Sequence, residues 1–212
     1  MTGRGGRSKS SARWLQRHVK DPFVRKARAE GYRSRAAYKL IGINARERLL
    51  VPGARVVDLG AAPGGWSQVA AGVVAPGGRV VAVDLLEIAP ISGVRLLRGD
   101  CRDPVVQAQL AEALEGSKAD VVLSDLSPNI SGIASVDQAR AAELARMAVG
   151  FCRSWLKPGG VFLVKVFQGG EFTGVRKEMK DVFRDVRTLK PAASREASRE
   201  TYLLARGLKG IQ

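Results

Sequence analysis

The sequence contains very few of the residues that metal sites and thiol chemistry require. It has one histidine, His18, and two cysteines, Cys101 and Cys152, which lie far apart. Neither cysteine belongs to a CxxC or Cys/His ligand pattern, so we expect both to be buried free thiols. A tetrahedral zinc site and a Ser-His-Asp triad both lack parts. The sequence therefore predicts a protein that uses neither a metal nor histidine chemistry.

Long apolar runs are also missing. No stretch approaches the roughly 20 residues that a membrane-spanning helix needs, and residues 1–11 lack the apolar core of a secretory signal. Hydrophobic residues make up 45% of the 212 residues, which is typical of one folded domain. We expect a cytoplasmic protein that does not contact membranes, and we expect it to be a monomer.

Acidic residues are scarce relative to basic ones. The chain has 35 Lys and Arg against 20 Asp and Glu, for a net charge of +15. Residues 1–35 hold eleven of the basic residues and only two of the acidic ones. Trp14, Phe23 and Tyr32 are interleaved with these charges, which suits single-stranded or looped RNA. We predict a partly flexible, RNA-binding arm over residues 1–33 and one domain over 34–212; a solubilising tail is the alternative.

From Ser34 onward, short apolar runs alternate with helical patterns. Ser34 is predicted to cap a helix that continues to Leu50. The predicted strands are 55–59, 79–84, 94–97, 120–125, 161–167, 186–189 and 201–205, and the predicted helices between them are 66–74, 104–114, 137–155 and 175–182. Lys157-Pro-Gly-Gly160 is expected to end the longest helix. This alternation predicts an α/β domain with a mostly parallel sheet, whose ligands bind at the carboxyl ends of the strands.

A glycine-rich turn follows the first predicted strand. Asp58 is followed by Gly60, Gly64 and Gly65, and glycines let a backbone approach a ligand at a strand-to-helix turn. The spacing GxxxGG differs from the GxGxxG pattern of dinucleotide-binding proteins.

An aspartate ends the second predicted strand, and another follows the third. Asp84 can accept hydrogen bonds from the hydroxyls of a ribose, and Asp100 can accept one from an adenine amino group. A pocket rich in carboxylates suits the sulfonium cation of S-adenosylmethionine better than the pyrophosphate of NAD. An NAD-dependent oxidoreductase remains the alternative.

One lysine interrupts the otherwise apolar run 161–167. An ammonium at Lys165 would be costly to bury without a partner. Asp125 ends the neighbouring predicted strand, so the amine and the carboxylate are expected to face one crevice. A partly desolvated lysine beside other charges can act as a general base; a structural salt bridge is the alternative.

Four separated segments, 58–68, 124–129, 164–168 and 198–202, resemble the FtsJ/RrmJ (RlmE) family of ribosomal RNA large-subunit 2′-O-ribose methyltransferases. The resemblance covers the chain from Ser34 onward. It implies a Rossmann-like, S-adenosylmethionine-dependent methyltransferase fold with helices on both faces of a seven-stranded sheet, whose last strand is antiparallel. It implies a catalytic tetrad of Lys39, Asp125, Lys165 and Glu200. It also implies that the cofactor is bound by Asp58, Gly60, Gly64, Gly65, Trp66, Asp84, Leu85, Asp100, Cys101 and Asp125.

The resemblance also implies a reaction. A ribose 2′-oxygen of a uridine in 23S ribosomal RNA, in the A-loop of assembled or assembling 50S subunits, would attack the sulfonium methyl group. Lys165 would deprotonate or orient the hydroxyl, Lys39 would hold the ribose or phosphate, and Asp125 and Glu200 would position the lysines. No metal is needed, because the sulfur leaves without charge. A transfer RNA or messenger RNA cap methyltransferase, and a non-catalytic RNA-binding assembly factor, remain alternatives.

Overall fold

The computed structural model describes residues 21–195 and 198–210. In this part of the chain the helices are α1 (Pro22–Ala29), α2 (Ala37–Glu47), α3 (Gly65–Val74), α4 (Pro104–Ala113), α5 (Ala134–Trp155) and α6 (Phe172–Val182). The strands are β1 (Arg55–Leu59), β2 (Arg79–Asp84), β3 (Val94–Arg98), β4 (Ala119–Ser124), β5 (Leu156–Phe167), β6 (Phe183–Leu189) and β7 (Glu200–Leu208). Most of the predicted basic arm, residues 1–20, lies outside the described residues.

The seven strands form one sheet in the order β3-β2-β1-β4-β5-β7-β6. The strands from β3 to β5 are parallel to their neighbours, whereas β7 is antiparallel to both β5 and β6. The order along the sheet reverses between β1 and β4, and such a switch point leaves a crevice at the carboxyl ends of the strands. The predicted α/β sheet with an antiparallel last strand is confirmed.

Two apolar layers cover the sheet. Successive strand residues point to opposite faces, so a strand buried on both sides needs helices on both sides. Val56 and Leu123 pack with α2 and α3 on one face, and Val57 and Leu59 pack with α4, α5 and α6 on the other. Each of these side chains is at most 1% exposed, a burial that contributes about 1.5–3 kcal/mol per residue. No helix among the described residues is long and apolar enough to cross a membrane.

Helices α1 and α4 begin with the same local pattern, an aspartate followed by a proline. Asp21 accepts a hydrogen bond from the Phe23 N–H at 3.0 Å, and Asp103 accepts one from the Val105 N–H at 2.8 Å. Proline fits the first helical position because the N–H that it lacks would have no acceptor within the helix. An aspartate at this capping position is worth about 1 kcal/mol.

The part of the predicted arm that the structure describes is folded. Helix α1 buries Val24 and Ala27. The Asp21 carboxylate pairs with the guanidinium groups of Arg35 and Arg195. These contacts join α1 to the segment before α2 and to the loop between β6 and β7.

The prediction that Ser34 caps α2 is wrong. The capping position is Ala36, which makes no side-chain capping bond. The Ser34 hydroxyl is buried, and no described residue offers it a hydrogen-bond partner. It lies against Gly65, where a Cβ atom would clash with it. Packing of this segment against the glycine-rich turn, rather than helix capping, fixes the position of Ser34.

The prediction that the longest helix ends at Trp155, just before 157–160, is confirmed, but the strand predicted from Val161 begins earlier, at Leu156. Helix α5 ends at Trp155, and the chain enters β5 at once. Leu156 pairs with Ala119 and Val161 pairs with Val121, so the four residues between Leu156 and Val161 form a bulge opposite one residue of β4. The positive φ of 80° at Gly159 allows this bulge within the strand.

Candidate active site

A cleft of about 520 Å³ lies at the carboxyl ends of β1, β2, β4 and β5. This size falls within the usual range of small-molecule sites. Seven of the predicted site residues line the cleft: Gly60, Asp84, Leu85, Asp100, Cys101, Asp125 and Lys165. Leu86, Ser127 and Met147 line it as well, and the sequence had not assigned them to the cofactor site. Among the described residues, no three His, Cys, Asp or Glu side chains are grouped so that they could hold a metal ion.

The glycine-rich turn passes close to its neighbours. At Gly60, with φ 73°, a Cβ atom would lie 2.7 Å from the Leu126 side chain. At Gly64, with φ 108°, a side chain would clash with Ile91. Both positions combine a backbone conformation that favours glycine with a lack of space. The GxxxGG spacing therefore reflects the path of the chain beneath the cleft.

Asp84 connects the turn to the rest of the cleft. One of its carboxylate oxygens accepts the Ala62 N–H and the other accepts the Leu86 N–H, both at 2.8 Å. Each carboxylate oxygen has two lone-pair sites, so the group can still accept hydrogen bonds from two hydroxyls. Asp84 can thus bind a ribose while it holds the turn in place.

Asp100 is held by Arg102, whose Nη2 lies 2.6 Å from a carboxylate oxygen. The hydrogen bonds from Arg102 hold the pKa of Asp100 below its ordinary value. Cys101, the next residue, has its Sγ atom 3.4 Å from the Met147 sulfur. Burial raises the pKa of the Cys101 thiol to about 11, so the thiol stays protonated and uncharged at neutral pH.

Asp58 lies beneath the glycine-rich turn and does not line the cleft. Its side chain is fully buried. Ser67 Oγ donates to one of its oxygens at 2.6 Å, while the other oxygen has no partner among the described residues. Burial raises the pKa of this carboxyl to about 7. Asp58 is therefore a carboxylate whose charge is costly unless a further donor or cation approaches it.

Trp66 also lies outside the cleft. It is 3% exposed, and its indole N–H donates to the Ala36 carbonyl at 2.8 Å. Its ring lies 5.7 Å from that of Tyr202, measured between centroids. The side chain supports α2 and β7, so only the backbone of Trp66 is left to contact a ligand in the cleft.

Two lysine–carboxylate pairs meet at one end of the cleft. Lys39 Nζ on α2 lies 2.6 Å from Glu200 Oε1 at the start of β7. Lys165 Nζ near the end of β5 lies 3.2 Å from Asp125 Oδ1, just after β4. The Lys165 side chain is only 4% exposed. Burial alone would raise the pKa of Glu200, but the charges of Lys39 and Lys165 outweigh it, and this pKa lies below its ordinary value.

Tyr202 joins the two pairs. Its phenol oxygen lies 3.0 Å from Asp125 Oδ1 and 3.2 Å from Glu200 Oε1, and Lys39 Nζ lies 5.8 Å from the centre of its ring. Burial and the two carboxylates hold the pKa of Tyr202 well above its ordinary value. The structure therefore brings the four predicted tetrad residues into one network around a tyrosine whose role the sequence did not suggest.

Comparison with solved structures finds the same fold in other proteins. A fibrillarin from Aeropyrum pernix, solved with bound S-adenosyl-L-methionine, aligns over 82% of this chain and 75% of its own with a TM-score of 0.57 and 19% identity, a likeness of fold alone. A ribosomal RNA methyltransferase from Plasmodium falciparum aligns over 85% of this chain and 100% of its own, with a TM-score of 0.76 and 28% identity.

Similarity in sequence extends over nearly the whole chain. A protein of Azoarcus sp. named ribosomal RNA large subunit methyltransferase E is 53% identical over 96% of this chain and 99% of its own. A protein of the same name from Nitrosospira multiformis is 54% identical over 95% of this chain and 98% of its own. The family model described as FtsJ-like methyltransferase matches residues 32–208. The chain whose cleft and lysine–carboxylate network are described above therefore belongs to the FtsJ-like methyltransferase family.

Proposed function

We propose that this chain transfers a methyl group from S-adenosyl-L-methionine to the ribose 2′-oxygen of a uridine in large-subunit ribosomal RNA, within the A-loop of assembled or assembling subunits. The observation that carries the proposal is the network of Lys39, Asp125, Lys165, Glu200 and Tyr202 at the end of the cleft. The network places a buried amine beside a cavity of suitable size for the methyl donor. The names of the Azoarcus and Nitrosospira relatives support ribosomal RNA as the substrate.

The residues of the cleft fit S-adenosylmethionine. Asp84 has free lone pairs for the ribose hydroxyls of the donor, and Asp100 lies at the same wall of the cleft for the adenine amino group. Asp58, with one oxygen unpartnered beneath the turn, favours a cationic ligand above it. When bound, the donor supplies an electrophilic methyl group on a sulfonium sulfur.

Lys165 takes the central role in the chemistry. Its amine would accept the proton of the 2′-hydroxyl, or orient that hydroxyl, while the oxygen forms its bond to the methyl carbon. Asp125 fixes the amine through its carboxylate, 3.2 Å away, and its backbone carbonyl, 2.7 Å away. A positioned general base contributes about 10²–10⁴-fold to a rate.

Lys39 and Glu200 form the second pair of the site. Both side chains are about one-eighth exposed, 12% and 14%, so the ammonium of Lys39 remains accessible to a phosphate or ribose at the edge of the network. Glu200 and Tyr202 hold Lys39 in place from β7. Together these residues would fix the target nucleotide relative to Lys165.

RNA binding is supported by the charge of the molecule. The net charge of +15 favours a polyanionic partner. Arg25, Lys26 and Arg28 on α1 are exposed, and α1 is joined to the catalytic end of the sheet through Asp21 and Arg195. Helix α1 therefore offers a basic surface that continues, in sequence, the basic residues 1–20.

The test is methyl transfer from labelled S-adenosylmethionine to large ribosomal subunits, free ribosomal RNA and transfer RNA, followed by digestion and identification of the modified nucleoside. We expect 2′-O-methyluridine from the large subunit. Labelling of transfer RNA alone would overturn the proposed substrate. A protein that binds the donor but labels none of the three RNAs would be an RNA-binding assembly factor instead.

A further inference from the structure

Lys165 has three polar contacts, and all of them involve the segment after β4. Its Nζ atom donates to the Asp125 carbonyl at 2.7 Å and to the Ser127 hydroxyl. It also lies 3.2 Å from the Asp125 carboxylate. An ammonium has three N–H groups, and here two of them make hydrogen bonds while the Asp125 carboxylate forms an ion pair with the charge.

The contact to Ser127 differs from the other two. The Asp125 oxygens are fixed by the backbone and by the hydrogen bond with Tyr202, and they only accept. Ser127 is an exposed residue that lines the cleft, whereas the Lys165 side chain is 4% exposed. One N–H of Lys165 is therefore taken up by an uncharged, exposed partner at the cleft.

We propose that Ser127 is a positioning residue that holds the charged, resting form of Lys165 and thereby sets the pH range in which Lys165 can act on the ribose hydroxyl. A hydrogen bond from an ammonium to a neutral oxygen is stronger than one from a neutral amine. The Ser127 hydroxyl therefore favours the protonated amine. Removing the hydroxyl leaves one N–H, or the lone pair of the neutral amine, directed toward the substrate.

The charged and titratable groups near Lys165 come from several elements. They are Asp125 after β4, Glu200 and Tyr202 on β7, Lys39 on α2 and Asp84 at the end of β2. Ser127 carries no charge, so Ser127→Ala leaves all of these in place. A change in pH dependence in this variant would therefore arise from the missing hydrogen bond to Lys165.

The experiment rests on the proposed function and measures single-turnover methyl transfer, with saturating RNA and donor, from about pH 6 to about pH 9. We expect Ser127→Ala to transfer about fivefold to tenfold faster than the wild type on the acid side of the profile, since tenfold corresponds to one pH unit. Ser127→Thr, which keeps a hydroxyl, should retain the wild-type profile. Identical acid limbs in Ser127→Ala and the wild type would overturn the proposal.

Ser124, the last residue of β4, offers a matched control three residues before Ser127. Its buried hydroxyl has no partner among the described residues, so Ser124→Ala should leave the acid limb where it is. A shift in Ser124→Ala as large as that in Ser127→Ala would also overturn the proposal, because it would show an effect of the strand end in general.

A second measurement does not depend on methyl transfer. Acylation of the Lys165 amine by acetic anhydride, followed by mass spectrometry across the same pH range, reports its protonation directly. Lys165 should react at lower pH in Ser127→Ala than in the wild type, and equal pH dependence would contradict the proposal. If the wild type labels no RNA but the two proteins still differ in acylation, the proposed function is refuted while the contact between Ser127 and Lys165 keeps its effect on the amine.

Discussion

Lys165 is surrounded by hydrogen-bond acceptors, and its side chain is almost fully buried. Asp125, just after β4, contacts its amine, and Tyr202 on β7 pairs with Lys165 across the sheet and forms a hydrogen bond with Asp125. Lys157, on the same strand as Lys165, has a side chain that is 48% exposed and pairs with Asp120 at the opposite end of β5. The two lysines thus provide a comparison between a site residue and a surface residue of one strand.

Lys165→Ala should lower methyl transfer by at least about 100-fold, because the variant has no positioned amine. Affinity for S-adenosylmethionine, measured by calorimetry, should change by less than about threefold, since the cleft residues that would bind the donor remain. Lys157→Ala should transfer at the wild-type rate. Substantial transfer by Lys165→Ala would assign proton acceptance to another group.

Asp58 should make the protein less stable as pH rises. Its pKa is about 7 in the folded protein against an ordinary 3.8, so the folded state binds more protons than the unfolded state between these values. The free energy of unfolding therefore falls as pH rises from about 3.8 to about 7, and Asp58 changes it no further above that range. Between about pH 5 and pH 8, Asp58 should cost on the order of 2–3 kcal/mol.

The measurement is urea unfolding of the wild type and Asp58→Asn at both pH values. The asparagine cannot ionise and keeps a partner for Ser67, so the variant should lack this part of the pH dependence. Other groups titrate in both proteins and cancel in the difference. Parallel pH profiles would show that Asp58 remains ionised in the fold.

Helices α1 and α4 begin with the same Asp-Pro cap, but the two capping aspartates have different surroundings. Asp21 is buried and pairs with two arginines, whereas Asp103 is exposed and only caps its helix. Burial lowers the pKa of Arg35 even beside Asp21, which indicates how costly its charge would be alone. The cluster of Asp21, Arg35 and Arg195, called the Asp21 cluster below, therefore holds α1 against the loop that precedes Glu200.

Asp21→Asn should destabilise the protein by about 2 kcal/mol or more, because it leaves the half-buried guanidinium of Arg35 without its carboxylate. Asp103→Asn should change stability by less than about 0.5 kcal/mol, since asparagine caps helices as well as aspartate does. Chemical denaturation gives both values. Equal small effects of the two substitutions would mean that the Asp21 cluster contributes only a helix cap.

The strands and most helices could be predicted from the sequence because their apolar residues recur at regular spacing, with Lys165 as the one interruption in the run 161–167. The exceptions are places where tertiary packing decides. Serine is a residue type that favours helix capping, yet the position of Ser34 is set by its contact with Gly65. The segment 157–160 has the composition of a turn, yet pairing with β4 on both sides of it keeps it within a strand.

The candidate site divides in the same way. Asp125 and Lys165 follow or end neighbouring parallel strands, and the carboxyl ends of such strands share one edge, so sequence reasoning could bring them together. Lys39 and Glu200 lie on a helix and on an antiparallel strand, and only the family resemblance pointed to them. Tyr202 has the pattern of an ordinary core residue, and its pairing opposite Lys165 is known only from the fold.

Across the molecule, charge is concentrated at the amino-terminal end. Residues 1–20 contain six Lys and Arg and no Asp or Glu, and the pairing of Asp21 marks where the described fold begins. A deletion of 1–20 therefore leaves the Asp21 cluster in place, whereas a longer deletion would also remove α1.

Deletion of residues 1–20 should weaken RNA binding and reduce its dependence on salt. For single-stranded RNA, the slope of log K against log salt should fall by about 0.7 for each phosphate that the shortened protein no longer neutralises. Fluorescence titrations at several salt concentrations give the slope, and affinity for S-adenosylmethionine serves as the control. Unchanged RNA affinity at low salt would show that these residues only add solubility.

The order β5-β7-β6 has a consequence for how the molecule is made. Strand β7 follows β6 in the chain but lies between β5 and β6 in the sheet. A nascent chain that has emerged only through Leu189 has an open edge on β5, and β6 has no neighbour to pair with. Glu200 and Tyr202 enter together with the strand that fills this gap. During synthesis, closing the sheet and completing the network of Lys39 and Lys165 are therefore one event, and an unfinished chain holds an aggregation-prone edge and no assembled site.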